Sequence, residues 1–390
     1  MSHESESTKG PLRHLAQDLA ELERAGLLRV RPEPVDQNID ARTVYLGSND
    51  YLGYRSTGRL TRYALGAATE HPAGSGASRL VLGEHRAHRA LEHALARWLG
   101  FDESLVFTTG YTANLGVISS LAGEGDLVVS DAWNHASIID GCRLSRAKIA
   151  VVPHGDVEAV RGALRDSTAR RRWVVTEGYF SMEGDTPDLP ALRAICDEQD
   201  AALIVDDAHA IGVLGPEGRG CAAAAGIRPD ILVGTLGKAI GAQGAFVAGS
   251  LDLCRWLWNR ARPFVFSTGL SPLLAAVAQG AVGEARADEI GRRRLHAVGE
   301  RLRTGLAASG VPIAPSYGPI IPLILGEEAR ALAWSRRLAE MGIRIQAIRP
   351  PTVPKGTSRL RIAVRADVRD DEVDRTVAAL GALQRDATPR

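Results

Sequence analysis

The chain has 390 residues, 45% of them apolar, which is enough to bury a large core and is typical of one large domain with a smaller one attached. Its 47 basic and 46 acidic residues nearly cancel, so no global field favours nucleic acid or an anionic membrane surface as a partner. No window approaches the roughly 20 apolar residues that span a bilayer. The four cysteines form no C-x-x-C pair, which predicts neither a disulfide framework nor a zinc finger. The polar, acidic start MSHESESTKG predicts no secretory or transit peptide, and we expect a cytoplasmic protein.

A helical segment near Leu15–Arg24 comes first, and between about residue 100 and residue 250 short β-rich runs alternate with helical patterns. Runs such as Ala202–Val205 are apolar on both faces, which predicts a largely parallel sheet covered by helices on both sides. The predicted strands are Ser104–Thr108, Asp126–Ser130, Ile149–Pro153, Trp173–Glu177, Ala202–Asp206, Ile231–Gly234 and Ala245–Ala248. Several of them end in polar or glycine residues, and ligands in open α/β sheets bind beyond the carboxyl ends of strands. These strand ends therefore predict a single site.

After residue 250 the pattern changes to long helical stretches, and a smaller α+β unit follows. The predicted elements here are helices at Pro272–Ala287 and Glu289–Ser309, a strand at Ile320–Leu325, a helix at Glu328–Met341, strands at Ile343–Ile348 and Arg359–Val364, and a last helix from Asp370. We predict an α/β fold with three parts: an N-terminal helical segment at residues 1–50 that packs on the small domain, a large domain at 51–285, and a small C-terminal α+β domain at 286–390.

One lysine, Lys238, stands among small residues in the run Gly234–Gly241, directly after a predicted buried strand. A lysine that forms a Schiff base with a carbonyl cofactor needs a lowered pKa and room for a bulky ring, which glycines provide. A surface turn would account for the glycines equally well, so this run alone leaves both interpretations open. The spacing is not that of a P-loop, which requires Gly-x-x-x-x-Gly-Lys-Ser/Thr.

The run Val205–Gly212 places a carboxylate, Asp207, and an imidazole, His209, at the end of another predicted strand. A carboxylate at a strand end can form a salt bridge with a protonated pyridine nitrogen, which keeps the ring able to accept electrons. His209 could then bond the phenolic oxygen of that ring. A metal site or a capped turn would also explain an Asp-x-His pair, but further ligands at a suitable spacing are missing and no metal is predicted.

Two further runs lie at strand ends. Thr109–Asn114 joins a strand, a glycine turn and a helix start, the arrangement in which backbone N–H groups hold a phosphate, and Gly110 and Tyr111 are the candidates. Many α/β folds open helices in this way. His135 follows the next strand, where an imidazole could stack on an aromatic ring, and a helix-capping or core histidine is the alternative.

Taken together, these motifs resemble a known family. The segments that carry the resemblance are Asn49–Gly53, Gly74–Arg79, Thr109–Tyr111, His135–Ile138, Thr176–Asp185, Asp207–His209 and Gly234–Lys238. In order and spacing they resemble the α-oxoamine synthases, which are fold-type I pyridoxal-phosphate (PLP) enzymes that condense an amino acid with an acyl thioester. The resemblance extends from about residue 40 to the last predicted helix. It implies a fold-type I PLP transferase that uses pyridoxal 5'-phosphate.

The resemblance implies a role for each matching residue. Lys238 would form the Schiff base, Asp207 would pair with the pyridine nitrogen, and His135 would stack on the ring. Ser181 and His209 would bond the phenolic oxygen. The phosphate would be held by Gly110, Tyr111, Thr235 and, from the neighbouring subunit, Thr268. The family therefore implies a homodimer with its active site at the interface, and Lys238, His135, Asp207 and His209 as its catalytic residues.

The resemblance also implies the substrates. The run Arg349–Arg361 is most similar to family members that join L-alanine to a pimeloyl thioester, carried by coenzyme A or an acyl carrier protein. The implied substrate-binding residues are Arg29, Asn49, Arg349, Thr352 and Arg361. Arg349 and Arg361 are both candidates for the amino-acid carboxylate, which a guanidinium grips through two hydrogen bonds. The alternatives are a family member that uses glycine or serine, an aminotransferase on the same fold, and a non-catalytic relative that binds the cofactor.

Overall fold

A computed structural model describes residues 10–29, 31 and 43–387 of the chain. The strands, in chain order, are β1 (Val44–Tyr45), β2 (Glu103–Phe107), β3 (Leu127–Asp131), β4 (Lys148–Val152), β5 (Arg172–Glu177), β6 (Ala202–Asp206), β7 (Ile231–Thr235), β8 (Ala245–Gly249), β9 (Ile320–Gly326), β10 (Ile343–Arg344), β11 (Gln346–Ile348) and β12 (Ser358–Ala363). The central sheet has the order β2-β8-β7-β6-β5-β3-β4. Strand β8 runs antiparallel to both of its neighbours, and the other pairs are parallel. The predicted α/β fold with a largely parallel sheet is confirmed.

Helices cover this sheet and continue into the C-terminal unit. They are α1 (His14–Arg24), α2 (Thr61–Glu70), α3 (Arg86–Leu99), α4 (Gly110–Leu121), α5 (Ala136–Ser145), α6 (Val157–Arg165), α7 (Leu189–Glu198), α8 (Cys221–Ala224), α9 (Leu251–Arg260), α10 (Arg262–Val265), α11 (Pro272–Ala287), α12 (Glu289–Ala308), α13 (Glu328–Glu340) and α14 (Asp370–Ala387), with a 3₁₀ turn at Pro216–Gly218. The predicted helix Pro272–Ala287 is confirmed at both ends. Among residues 10–29, 31 and 43–387, no helix is long and apolar enough to cross a membrane.

Alternate residues of β6 enter two different hydrophobic clusters. Ile204 packs in the cluster that contains Val117 of α4 and Ile138 of α5. Leu203 and Val205 belong to the other cluster, together with residues of α7. Successive side chains of a strand point to opposite faces, so the sheet is buried on both sides, as its apolar runs predict. Residues an even number of positions apart therefore share a face.

The C-terminal unit contains a small antiparallel sheet with the order β11-β12-β9. The N-terminal strand β1 pairs in parallel with β10, Val44 opposite Ile343. Farther along, the backbone N–H of Ala363 donates to the carbonyl oxygen of Leu46 at 2.7 Å. The segment before residue 50 is thus hydrogen-bonded to the C-terminal unit, while the predicted domain boundaries at residues 50 and 285 stay predictions.

The prediction of one strand at Ile343–Ile348 is wrong in one respect, because two short strands occupy this stretch. Strand β10 pairs with β1, whereas β11 pairs with β12. Ile345 lies between them with 3% of its surface exposed, and its carbonyl oxygen accepts a hydrogen bond from the Ser335 hydroxyl at 2.7 Å. The backbone oxygen at the break is therefore satisfied by a side chain where the chain changes its strand partner.

Candidate active site

Three neighbouring strands of the central sheet, β5, β6 and β7, end in polar residues. Glu177, the last residue of β5, lies opposite Asp206, the last residue of β6. Thr235 ends β7, and Lys238 follows in the next turn. Because parallel strands place their carboxyl ends at one edge of the sheet, these side chains meet there.

Lys238 lies half-buried in the loop that follows β7. Burial lowers the pKa of the Lys238 amine to about 8, although the nearby acids Asp206 and Glu177 oppose the fall. An amine with this pKa is partly uncharged near neutral pH. Its Nζ is therefore suited to attack an aldehyde and to accept a proton from carbon.

The structure corrects the role predicted for Asp207. Its Oδ2 accepts a hydrogen bond from the backbone N–H of Ala222 at 3.2 Å, and its side chain is fully buried. A Cβ added to Gly178 would lie 2.1 Å from one carboxylate oxygen, and a Cβ on Gly220 would lie 2.3 Å from the other. Burial raises the pKa of Asp207 to about 7. The carboxylate is thus enclosed between two backbone segments, with no room beside it for a cofactor ring.

Asp206 is the carboxylate that faces the lysine. Its charge raises the pKa of both Lys238 and His135, against the effect of burial on each. By strand alternation Asp206 shares the face of Ile204, on which α4 and α5 pack, whereas Asp207 points to the opposite face. Asp206 is therefore the candidate for the pyridine nitrogen.

A chain of hydrogen bonds, buried at its Asp206 end and partly buried at its His135 end, joins these two residues. The Asn114 amide donates to Asp206 Oδ2 at 2.6 Å and to Ser137 Oγ at 2.9 Å. Ser137 Oγ lies 2.7 Å from His135 Nδ1, which also accepts the backbone N–H of Ser137. Partial desolvation by the surrounding groups lowers the pKa of His135, so the ring is neutral. Because Nδ1 is an acceptor, its single proton lies on Nε2.

Glu177 is a buried acid for which the sequence predicts no role. Its Oε2 accepts the backbone N–H of Ser181 at 3.3 Å, and its own backbone N–H donates to Asn134 Oδ1 at 3.1 Å. Burial and the nearby charge of Asp206 raise the pKa of Glu177 to about 8. Glu177 is therefore largely protonated at neutral pH, and the site holds one strong negative charge, on Asp206.

Residues from distant parts of the chain form a cluster around Arg361. Its guanidinium donates to Asn49 Oδ1 at 3.0 Å, to the carbonyl oxygen of Ser181 at 2.5 Å and to the Tyr51 hydroxyl at 3.2 Å. The same hydroxyl lies 2.7 Å from His209 Nδ1. Four predicted site residues, Asn49, Ser181, His209 and Arg361, are brought together here, and Tyr51 is an addition.

The candidates for the phosphate lie at the start of α4. A Cβ added to Gly110 would lie 4.0 Å from the Cβ of Thr235, so these two residues are adjacent. The Tyr111 ring is 43% exposed, and its hydroxyl donates to Asp140. Thr268 lies exposed in the loop between α10 and α11. Its predicted role concerns a neighbouring subunit and stays a prediction.

The remaining substrate candidates form a second group near the N-terminal segment. Arg29 Nη2 lies 3.5 Å from Thr352 Oγ1, and Arg349 donates to the backbone carbonyl of Gly26. Arg349 is therefore engaged with the N-terminal backbone, whereas Arg361 belongs to the cluster that contains His209. This makes Arg361 the stronger candidate for the amino-acid carboxylate.

The donor set around Lys238 fits pyridoxal phosphate. The Lys238 amine, with its lowered pKa, can react with the aldehyde, and the Asp206 carboxylate can bind the pyridinium. The buried, neutral imidazole of His209 can bind the phenolic oxygen. Gly110 opens a helix of 12 residues whose backbone N–H groups suit a phosphate. The His135 ring is exposed at this edge of the sheet, where it can stack on a bound ring.

Comparisons with known proteins give the same picture. A family model for aminotransferase class I and II matches residues 41–380. An 8-amino-7-oxononanoate synthase from Anaeromyxobacter dehalogenans is 47% identical over 389 residues, which cover 98% of both chains. A serine palmitoyltransferase variant from S. paucimobilis, solved with a bound PLP–myriocin aldimine, has a TM-score of 0.89 at 29% identity, covering 96% of this chain and 98% of that one. The 8-amino-7-oxononanoate synthase of Francisella tularensis has a TM-score of 0.77 at 25% identity and covers 89% and 99%.

The fold and the site are those of a fold-type I pyridoxal-phosphate enzyme. More closely, the chain belongs to the aminotransferase class I and II family and, within it, to the α-oxoamine synthases. The resemblance seen in the sequence, the fold class and pyridoxal phosphate as cofactor are thereby confirmed.

Proposed function

We propose that the protein joins L-alanine to a pimeloyl thioester and releases carbon dioxide and a free thiol, giving 8-amino-7-oxononanoate for biotin synthesis. The observation that carries the proposal is the Arg361 cluster beside Lys238. It occurs in a chain that is 47% identical, over nearly its whole length, to an 8-amino-7-oxononanoate synthase. The acyl carrier would be coenzyme A or an acyl carrier protein.

Specific residues would hold the cofactor. When bound, pyridoxal phosphate supplies an electron-withdrawing ring that stabilises negative charge on the Cα of the amino acid. Lys238 would hold it covalently through Nζ, and Asp206 would bind its pyridine nitrogen. His209 and Ser181 would bind its phenolic oxygen. The phosphate ligands from this chain would be Gly110, Tyr111 and Thr235.

Residues of the chain would transfer the Cα proton and bind the negatively charged groups of the substrates. Once the amino group of alanine has replaced Lys238 at the aldehyde, the freed Nζ, with a pKa of about 8, would accept the Cα proton of alanine and return a proton to the same carbon at the end. Between these transfers the Cα forms a bond to the thioester carbonyl carbon, the thiolate leaves, and the carboxyl group leaves as carbon dioxide. Arg361 and Asn49 would bind that carboxylate until it leaves. His135 Nε2–H would donate to the oxyanion that develops on the thioester carbonyl.

A homodimer in the cytoplasm is part of the proposal. Two exposed apolar side chains support the dimer: Phe266, in the loop near Thr268, is 72% exposed, and Leu82 is 85% exposed. Large apolar side chains with this exposure are typical of surfaces that another chain covers. Sedimentation should therefore give about twice the chain mass of 41.6 kDa.

The proposal is tested by measuring thiol release. The cofactor-loaded enzyme is supplied with one amino acid, L-alanine, glycine or L-serine, and one acyl thioester, pimeloyl, acetyl or palmitoyl. We expect release with alanine and pimeloyl thioester, and 8-amino-7-oxononanoate as the product by mass spectrometry. Release with glycine and acetyl-CoA or with serine and palmitoyl-CoA, but not with the alanine pair, would assign a different α-oxoamine synthase activity.

Two further measurements separate the remaining alternatives. An aminotransferase would convert the cofactor to pyridoxamine phosphate with alanine alone, without any thioester. Lys238→Ala should lose both turnover and the absorbance of the covalently held cofactor, because Nζ has no substitute in the site. Turnover by Lys238→Ala would overturn the proposed proton transfers.

A further inference from the structure

The Tyr51 hydroxyl occupies a junction between two parts of the site. Tyr51 is fully buried, and its hydroxyl contacts Arg361 Nη2 at 3.2 Å, His209 Nδ1 at 2.7 Å and Asn49 Oδ1 at 3.2 Å. Arg361 is the candidate for the amino-acid carboxylate, and His209 is the candidate for the phenolic oxygen of the cofactor. One hydroxyl thus contacts both the candidate ligand of the amino-acid carboxylate and the candidate ligand of the cofactor oxygen.

The protons on these groups can be assigned from what each group is able to donate. A guanidinium only donates, so the Tyr51 oxygen accepts from Arg361. Its single proton then goes to His209 Nδ1 or to Asn49 Oδ1. The distance to Nδ1 is the shorter, and Asn49 Oδ1 already accepts from Arg361 Nη1 at 3.0 Å. We assign the proton to the shorter of these two contacts, in which the Tyr51 hydroxyl donates to His209 Nδ1.

The charge states agree with this assignment. Burial raises the pKa of Tyr51, which stays a phenol, although the charge of Arg361 opposes the rise. Burial and the positive charges of Lys238 and Arg361 hold the pKa of His209 well below its usual value, so the imidazole is neutral. A neutral imidazole carries one proton, and with Nδ1 accepting, that proton is on Nε2.

We infer that Tyr51 is a positioning residue: its hydroxyl fixes His209 in the Nε2–H tautomer and links that histidine to the Arg361 guanidinium. His209 is then a permanent donor toward the phenolic oxygen, and a carboxylate that binds Arg361 acts on the same hydrogen-bonded unit. The inference rests on the proposed function for the ligands of Arg361, while the tautomer of His209 is a property of the chain itself.

The test compares two fully buried tyrosines from the same stretch of chain. Tyr51→Phe removes the junction, whereas Tyr54→Phe removes a hydroxyl that donates to Asp288 Oδ2 at 2.9 Å. In the holoenzyme without substrates, the cofactor absorbance is followed against pH. Because Tyr51→Phe loses a hydrogen bond that orients a donor, we expect its titration midpoint to move by about one pH unit, a tenfold change in the equilibrium. The Tyr54→Phe midpoint should match the wild type.

The same variants are measured in a His209→Ala background. If Tyr51 acts through His209, Tyr51→Phe should shift the midpoint in this background by less than about 0.3 unit, because the coupled partner is gone. A full shift without His209, or no shift with it, would overturn the inference. Alanine binding, followed by the same absorbance, should weaken about tenfold in Tyr51→Phe and stay unchanged in Tyr54→Phe.

A measurement on the wild-type protein needs no Tyr51 variant. With ¹⁵N-labelled histidine, the His209 resonances, identified by their loss in His209→Ala, should show an unprotonated Nδ1 and a protonated Nε2. A protonated Nδ1 would contradict the inference even if Tyr51→Phe failed to fold. These measurements need no acyl substrate, so failure of the pimeloyl assignment leaves their outcome intact.

Discussion

Asp207→Asn should make the protein more stable at alkaline pH, because Asp207 is a buried acid enclosed by backbone. Its pKa is raised from 3.8 to about 7 by burial. An acid whose pKa is higher in the folded state contributes stability that is fully present below pH 3.8 and is lost as the pH rises through 7. The difference of about 3 units corresponds to a loss on the order of 4 kcal/mol, of which about 3 kcal/mol falls between pH 5 and pH 8.

The assay is urea unfolding of the wild type and Asp207→Asn at pH 5 and pH 8 after removal of the cofactor. An asparagine has the same shape and does not ionise. Between pH 5 and pH 8, the free energy of unfolding should therefore fall by about 3 kcal/mol less in the variant than in the wild type. In the holoenzyme, Asp207→Asn should keep the cofactor absorbance, and Asp206→Asn should change it. Equal pH dependences, or a cofactor that depends on Asp207 and not on Asp206, would refute the placement of the two carboxylates.

Three other substitutions test buried contacts of the same chain. His154, whose pKa the two flanking aspartates raise to about 9 against the effect of burial, contributes charge-dependent stability that is fully present below pH 6.5 and lost through pH 9. The difference in urea unfolding between the wild type and His154→Ala should therefore narrow above pH 9.5 to the part that comes from the stacking of the ring on Trp133. Arg79→Met leaves Glu92, its partner at 2.5 Å, buried without a positive charge beside it, and should cost about 3–5 kcal/mol in thermal unfolding. The double variant Arg79→Met with Glu92→Leu should restore most of this loss. Asn114→Ala removes a 2.6 Å hydrogen bond to Asp206 and should weaken cofactor binding by about tenfold or more in equilibrium dialysis, whereas an unchanged affinity would show that Asp206 needs no such support.

The strands of the central sheet could be predicted from the sequence to within one or two residues. A parallel strand buried on both faces is a continuous apolar run that stops at a polar or glycine residue, and Ala202–Asp206 is bounded in this way. The same property explains the error at Asp207. A run that is apolar on both faces has no alternation to show which of two adjacent carboxylates faces the cofactor. The helices that cover each face decide this, and their placement is not visible in the run.

Tyr51 and Asn114 were beyond the reach of sequence patterns for a different reason. Tyr51 meets Arg361 across 310 residues of chain, and Asn114 meets Asp206 across 92. Neither residue stands at a distinctive spacing from its partner, and both are ordinary members of a turn or a helix. The resemblance to a family identified Asn49 and Arg361 separately, but only the folded chain shows that they share a hydrogen bond.

Because Asn49 and Arg361 are far apart in the chain, the parts of the site are synthesised at different times on the ribosome. The central strands that surround Lys238 are complete once residue 249 has emerged, whereas Arg361 is made 112 residues later. At about 5–20 residues per second, that interval is roughly 6–22 s. During this interval, the nascent chain has the strands around Lys238 and lacks the arginine that we propose binds the amino acid. If Arg361 has this role, substrate recognition is among the last properties that a newly synthesised molecule acquires.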